Sequence, residues 1–270
     1  MSFEPDSAGK ANDTNGVLDR NVPIYFITLP MQAYSYGAEN MPTIDVIREM
    51  YNASGVHPTT DPDDPRSHCF VDRYKKHLCK LITPGMRVLD LGCNAGRLTF
   101  AMEDMGAIAT GVDFAEIPIL HAKKVAYRRK SQCQFIIGDI VSLPYKGNTF
   151  DLAVLPQNIG YLSYQSLELL SVQLKEILSE NGIFVVIMQD ELVKRAGKEN
   201  LQDCYNVQAG QMRANTTIPN KGVYASPWHC WTVAFAKYIV EKHLHLQKLE
   251  QIGEYKFLLV FRNKQGNGSL

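Results

Sequence analysis

The sequence lacks a Cys-x-x-Cys pair, a surplus of either charge, and any apolar stretch long enough to cross a membrane. Its cysteines, at 69, 79, 93, 133, 204 and 230, fall singly, and none joins a histidine at zinc-ligand spacing. Neither a metal site nor a disulfide framework is therefore expected to organise the chain. The longest purely apolar run, Ile183–Met188, is far short of the roughly 20 residues that span a bilayer. With 28 basic and 28 acidic residues, no long-range field steers the chain onto a phosphate backbone or an anionic surface, so neither a nucleic-acid nor a membrane partner is expected. The opening MSFEPDSAGKANDTNG is polar and acidic and has no apolar core of a secretory signal. A reducing, cytoplasmic setting is the expectation.

What is present is globular: 270 residues, 45% hydrophobic and 21% charged, enough for one large domain or a core with an elaboration. Residues 1–22, rich in Asp, Asn, Gly and Ser, read as a flexible N-terminus. Residues 23–85 read as a cap: an apolar run Pro23–Leu29, an aromatic stretch with Tyr34 and Tyr36, a helix opened by Thr43, a Pro-rich loop over 54–66, and a second helix carrying Phe70, Tyr74, Leu78 and Leu81. From Met86 the texture changes. Strand patterns at 87–91, 108–112, 134–137, 150–155 and 183–188 alternate with helical ones at 96–105, 118–130 and 164–178, the last closed at Gly182. A helix near 231–243 and two apolar strands, 246–252 and 255–261, end the chain. The spacing predicts an α/β three-layer sandwich: a seven-stranded, mostly parallel sheet, its last strand antiparallel, helices on both faces, and an N-terminal helical cap. The core thus spans 86–270, with an insertion of small and polar residues over 191–226 on the substrate side.

The chemistry centres on Val88-Leu-Asp90-Leu-Gly92-Cys-Asn94-Ala-Gly96-Arg97, where an apolar strand enters a glycine turn that opens a helix. Such a turn presents backbone N–H groups and permits close approach to a nucleotide-like ligand. A dinucleotide fingerprint counted from Gly92 finds Asn94 and Arg97 at its other glycine positions, and a Walker A lysine is absent. Cys93 reads as packing.

The residues that remain, Asp90-x-Gly92-x-x-x-Gly96, with Gly111-Val-Asp113 closing the second strand, Gly138-Asp139-Ile140 the third, and Phe150-Asp151-Leu-Ala-Val the fourth, resemble class I S-adenosylmethionine-dependent methyltransferases of the small-molecule type. The resemblance implies S-adenosyl-L-methionine as cofactor and S-adenosyl-L-homocysteine as product. It places Asp90, Gly92, Asn94 and Gly96 at the methionine end and Asp113 on the ribose. Phe114, Asp139 and Ile140 fall on the adenine, and Pro156 opens the stretch overlooking the methyl group. In that stretch Asn158 and Tyr161 would line the acceptor side, Tyr161 with a catalytic role. His229, just after the insertion, is the candidate base. Tyr34, Tyr36 and Tyr224 would form an aromatic lid, and Arg213 would receive a carboxylate. No metal is implied. The expected reaction is methyl transfer to a nitrogen or oxygen of a small-molecule acceptor. An RNA- or protein-modifying enzyme stays open because of the basic run Lys123-Lys124…Arg128-Arg129-Lys130, as does a cofactor-binding protein without methyl transfer. Pairing of two chains stays possible.

Overall fold

The computed structural model describes residues 44–190, 215–218, 222–225 and 231–263. Helices α1 (Ile44–Ser54) and α2 (Pro65–Leu78) precede β1 (Arg87–Leu91), α3 (Arg97–Asp104), β2 (Ile108–Asp113), α4 (Glu116–Arg129), β3 (Gln134–Ile137) and β4 (Phe150–Pro156). A 3-10 turn, Asn158–Tyr161, leads into α5 (Tyr164–Ile177) and β5 (Leu178–Gln189). The ribbon β6 (Asn215–Ile218) and β7 (Gly222–Ala225), helix α6 (Val233–Glu241), β8 (His245–Gly253) and β9 (Lys256–Arg262) complete the described elements.

Seven strands form one sheet in the order β3-β2-β1-β4-β5-β9-β8. The first five pair in parallel, and β9 runs against both its neighbours, as the sequence pattern predicts. The central strands are buried on both faces, so β1 and β4 are mostly apolar, with Arg87 and Asp151 at their half-buried starts and Asp90 as the one buried charge. Alternation along β1 assigns the faces: Val88 joins Tyr74, Leu78, Leu98 and Ile119 on one side, whereas Leu89 and Leu91 join Leu170, Leu174, Trp231 and Ile239 on the other. Helices α2, α3 and α4 thus cover one face and α5 and α6 the second. Helix α2, expected in the cap, lies against the sheet with Tyr74 and Leu78 fully buried. It starts where Asp64 accepts the Arg66 N–H at 2.8 Å with Pro65 at the first helical position.

Three expectations need correction. Helix α5 ends at Ile177, and the chain is already extended at Leu178, so Gly182 closes no helix. The left-handed residue there is Asn181 (φ 64°), and Gly182 sits in the irregular start of β5, where a Cβ would lie 2.8 Å from the Ser179 carbonyl. The stretch 191–226 is not wholly irregular, since it contains the β6–β7 ribbon. The tight link between the last two strands, which the sequence pattern leaves to Gly253-Glu254 between strands ending at 252 and starting at 255, is Glu254-Tyr255.

Gly111 shows how closely the strand ends approach the turn above them. It pairs with Asp90 across the sheet, and a Cβ there would stand 2.6 Å from Cys93 Sγ and 2.9 Å from Thr99 Oγ1. Gly111→Ala is expected to destabilise the fold by about 1–3 kcal/mol in denaturant titration. Gly253→Ala, whose Cβ meets nothing closer than 3.5 Å, should change stability by about 0.5 kcal/mol or less.

Candidate active site

The carboxyl ends of β1, β2, β3 and β4 share one edge of the sheet, and each delivers one segment of the predicted site. After β1 the chain turns through Gly92 (φ 75°), Asn94 (φ 50°) and Gly96 (φ 86°) into α3. The Gly92 and Cys93 N–H groups both donate to the Val112 carbonyl, at 2.8 and 3.0 Å. A Cβ on Gly96 would press to 2.6 Å from the Phe135 ring, and one on Gly92 would collide with the Asn158 amide nitrogen. Asparagine tolerates the left-handed conformation, and Asn94 steadies it by accepting the Ala95 N–H on its own side chain at 2.8 Å.

Asp113, at the end of β2, accepts the Asn94 N–H on one carboxylate oxygen (2.8 Å) and the Ala115 N–H on the other (2.9 Å), while its carbonyl accepts from Gly138 N–H after β3 (2.9 Å). It is buried, and burial outweighs these N–H contacts to hold its carboxyl above the usual carboxylate range. Asp90 is wholly buried on the α3 side, with Oδ2 accepting from Thr99 Oγ1 at 2.7 Å and Oδ1 without a hydrogen-bond partner among the described residues. Burial raises its pKa to about 7. An orphaned, desolvated carboxylate oxygen beneath a glycine turn suits a cationic N–H donor such as the amino-acid end of the expected cofactor. Asp139 is half-buried and folds its carboxylate onto the Val141 N–H at 3.0 Å. Ile140 packs at the margin of the second core cluster.

Strand β4 ends on Pro156, and the chain takes a left-handed residue at Gln157 (φ 60°) before the Asn158–Tyr161 turn. The Gln157 N–H donates to the Ile187 carbonyl at 2.7 Å, and its side-chain amide reaches the Tyr74 hydroxyl. The Asn158 amide nitrogen donates to the carbonyls of Leu91 (3.0 Å) and Gly92 (2.8 Å). Both its N–H groups are thus committed to bracing the glycine turn.

Helix α1 closes this edge from outside. Its Tyr51 hydroxyl donates to the Tyr161 hydroxyl at 2.6 Å, and its ring meets Phe114 and Tyr161 edge-on at centroid separations of 6.0 and 5.9 Å. The neighbouring Asn52 accepts the Ile117 N–H at the start of α4 at 3.0 Å. Burial pushes both phenols up, which keeps them protonated at neutral pH and makes Tyr161 a hydrogen-bonding group rather than a base. The loop before α2 adds a second strap: Arg97 stacks its guanidinium on Phe70 and donates to the Thr59 carbonyl, and Asp61 faces His121 on α4 at 3.2 Å. Sequence reasoning gave no site role to Tyr51, Asn52, Thr99 or Gln157.

Of the remaining expected residues, His229, Tyr34, Tyr36 and Arg213 lie outside the described residues. Tyr224 falls on β7, opposite Thr216 on β6, and β6 runs beside α1. The basic run on α4 is partly neutralised, since Arg128 and Arg129 both reach Asp63, at 2.7 and 2.6 Å. Among the described residues no cluster has the ligands for a metal ion.

A family model described as Methyltransferase domain matches residues 82–248. The chain is 26% identical over 107 residues to the sterol 4-C-methyltransferase strm-1 of Caenorhabditis elegans, covering 39% of this chain and 31% of that protein. It is 38% identical over 68 residues to a ubiquinone biosynthesis O-methyltransferase of Coxiella burnetii, covering 25% and 29%. The chain thus spans about a third of the length of these relatives. The PH0226 protein of Pyrococcus horikoshii OT3 shares the fold at a TM-score of 0.64 and 22% identity, over 77% of this chain and 97% of that one.

The buried Asp90 carboxyl gives the ligand-free fold a pH signature. Its folded pKa of about 7 exceeds the unfolded value, so its contribution is fully present below about pH 4 and is lost as pH rises through 7. Thermal unfolding midpoints are expected to fall between pH 5 and pH 8, with a loss of up to about 2.5 kcal/mol in stability. Asp90→Asn should flatten that slope.

Proposed function

The chain belongs to the methyltransferase-domain family, and from that premise we propose that it transfers the methyl group of S-adenosyl-L-methionine to a nitrogen or oxygen of a small-molecule acceptor. The observation that carries the reading is the orphaned Asp90 oxygen under the glycine turn, together with Asp113, which receives the Asn94 N–H of that turn at the end of the next strand. When bound, the cofactor supplies a methyl carbon activated by a sulfonium and leaves as neutral S-adenosyl-L-homocysteine.

The protein's own part is binding, alignment and exclusion of water. Gly92, Asn94 and Gly96 present an uncluttered turn to the methionine part, and Asp90 receives its ammonium. Asp113 takes the ribose hydroxyls, with Phe114, Asp139 and Ile140 around the adenine. Pro156 stands beside the methyl group, and the Tyr161 hydroxyl, held by Tyr51, orients the acceptor with the Asn158 carbonyl. Because the sulfonium charge spreads between sulfur and the acceptor atom as the methyl moves, and cancels when the acceptor is an oxyanion, a site closed by α1 favours the transition state over a localised charge in water. A base is needed only for an acceptor that arrives protonated, and His229 is our candidate for it. On this reading the segment before β1 supplies the cap through α1, and Tyr34, Tyr36, Tyr224 and Arg213 are our candidates for the acceptor side.

The sterol and ubiquinone-pathway relatives support an acceptor with an apolar body. The free thiols of Cys69, Cys79, Cys93 and Cys133 support a reducing, cytoplasmic setting. The Asp63 bridges on α4 weigh against RNA as substrate, because they occupy the arginines that would face phosphates.

Two measurements test the reading. Calorimetry should detect S-adenosyl-L-homocysteine binding, weakened by about 1–3 kcal/mol in Asp113→Ala through loss of the ribose contacts. Incubation with isotope-labelled cofactor and a pool of small metabolites should then transfer label to an acceptor. Binding without turnover in any pool would leave a cofactor-binding protein in place of an enzyme, and no binding at all would sink the reading.

A further inference from the structure

We propose that the outer face of α4 docks on an anionic lipid bilayer. Helix α4 is apolar on two sides. Ile119, Ala122, Val125 and Ala126 are buried in the core, which accounts for its attachment to the sheet. Ile117, Leu120 and Tyr127 nevertheless project outward, 44%, 41% and 88% exposed. At 100° per residue these three fall on one arc together with Lys123 and Lys124. A shallow groove runs along the arc, walled by Leu120, His121, Lys123, Lys124, Tyr127 and Arg128. A helix that only faced water would carry polar residues there.

The cations on this face set the occupant. Lys123 and Lys124 are exposed and carry no ion pair among the described residues, whereas Arg128 and Arg129 are bridged to Asp63. Flexible lysine stems beside an isoleucine, a leucine and a nearly bare tyrosine match the boundary of a negatively charged bilayer. There the apolar groups enter the acyl margin, the ring sits at headgroup level and the ammonium groups meet lipid phosphates. Nucleic acid would use the cations but leave the apolar side chains in water. The chain's net charge is zero, so the attraction comes from this local cluster. Among the described residues no helix is long and apolar enough to cross a membrane, and the contact is therefore peripheral.

The face is continuous with the candidate site. Ile117 N–H is held by Asn52 of α1, beside Tyr51, and Phe114 lies three residues upstream. A bilayer under α4 would lie next to the mouth that α1 closes, within reach of an acceptor dissolved in lipid. This deepens, and in that respect rests on, the reading of an apolar small-molecule acceptor.

The test is sedimentation of the full chain with vesicles of phosphatidylcholine alone and of phosphatidylcholine with a quarter phosphatidylglycerol. Binding is expected to the anionic vesicles only, reversed by high salt. Lys123→Gln with Lys124→Gln should bind about thirtyfold more weakly. Leu120→Ser with Tyr127→Ser should also release the protein, and both pairs should retain the parental unfolding midpoint and S-adenosyl-L-homocysteine affinity. The proposal is overturned by absence of vesicle binding, by binding that neither pair alters, or by capture of single-stranded RNA in preference to vesicles. It is equally overturned if the Leu120→Ser/Tyr127→Ser pair dissolves a dimer of the parent without touching lipid binding. Vesicle binding by a chain that fails to bind S-adenosyl-L-homocysteine would strike the methyl-transfer reading alone. Label transfer to a detergent-dispersed acceptor without vesicle binding would strike the docking alone.

Discussion

One carboxylate holds the working edge of this fold together. Asp113 accepts a backbone N–H from the turn after β1 on one oxygen and a backbone N–H from the start of α4 on the other, and its own carbonyl anchors the segment after β3. Three strand ends are tied at a single residue. The glycines follow from that closeness: Gly111 leaves room for Cys93 and Thr99, Gly96 for the Phe135 ring, and Gly92 for Asn158. A carboxylate so placed has lone pairs left over, and it stands one strand from the topological switch point of the sheet, which lies between the carboxyl ends of β1 and β4.

The edge carries unfavourable terms that the rest of the sheet offsets. Asp90 is fully desolvated with one oxygen unpaired, and Asp113 is buried a strand away. Asn94 and Gln157 both hold left-handed backbone, and for Gln157 nothing in its side chain eases the conformation. Such terms cluster where a ligand offsets them: a cationic donor at Asp90 would compensate its desolvation and supply its missing hydrogen bond. The apolar strands β1, β4 and β5, buried on both faces, supply the stability against which these costs are set.

How far the sequence foretold this depends on the range of the interaction. The strand β1 and the turn after it were legible because an unbroken apolar run, an acid and two glycines each state a local requirement. The end of α5 was not: glycine at 182 invited a helix cap, while Asn181 took the left-handed position and the chain had turned extended at Leu178. Gln157 gave no hint of its conformation, since its strain is imposed by Ile187 and Tyr74 from other elements. Tyr51 was readable only as one apolar position on a helix face. Its partner lies 110 residues away, and no periodicity reports such a pairing.

That long-range pairing bears on where specificity resides. The family match begins at residue 82, so α1, α2 and the loop between them lie outside it, yet they contribute Tyr51 against Phe114 and Tyr161, Asn52 at the start of α4, and the Thr59 carbonyl to Arg97. The matched core supplies the turn and the two buried acids, which any adenosyl cofactor of this kind would need regardless of acceptor. The residues in front of it complete the wall around the reacting edge. Because Tyr161 receives its hydrogen bond from Tyr51, even the orientation of a core hydroxyl is set by the added helix. On the proposed function, acceptor selection falls to the elements that enclose the reacting edge, and cofactor binding to the strand ends beneath them.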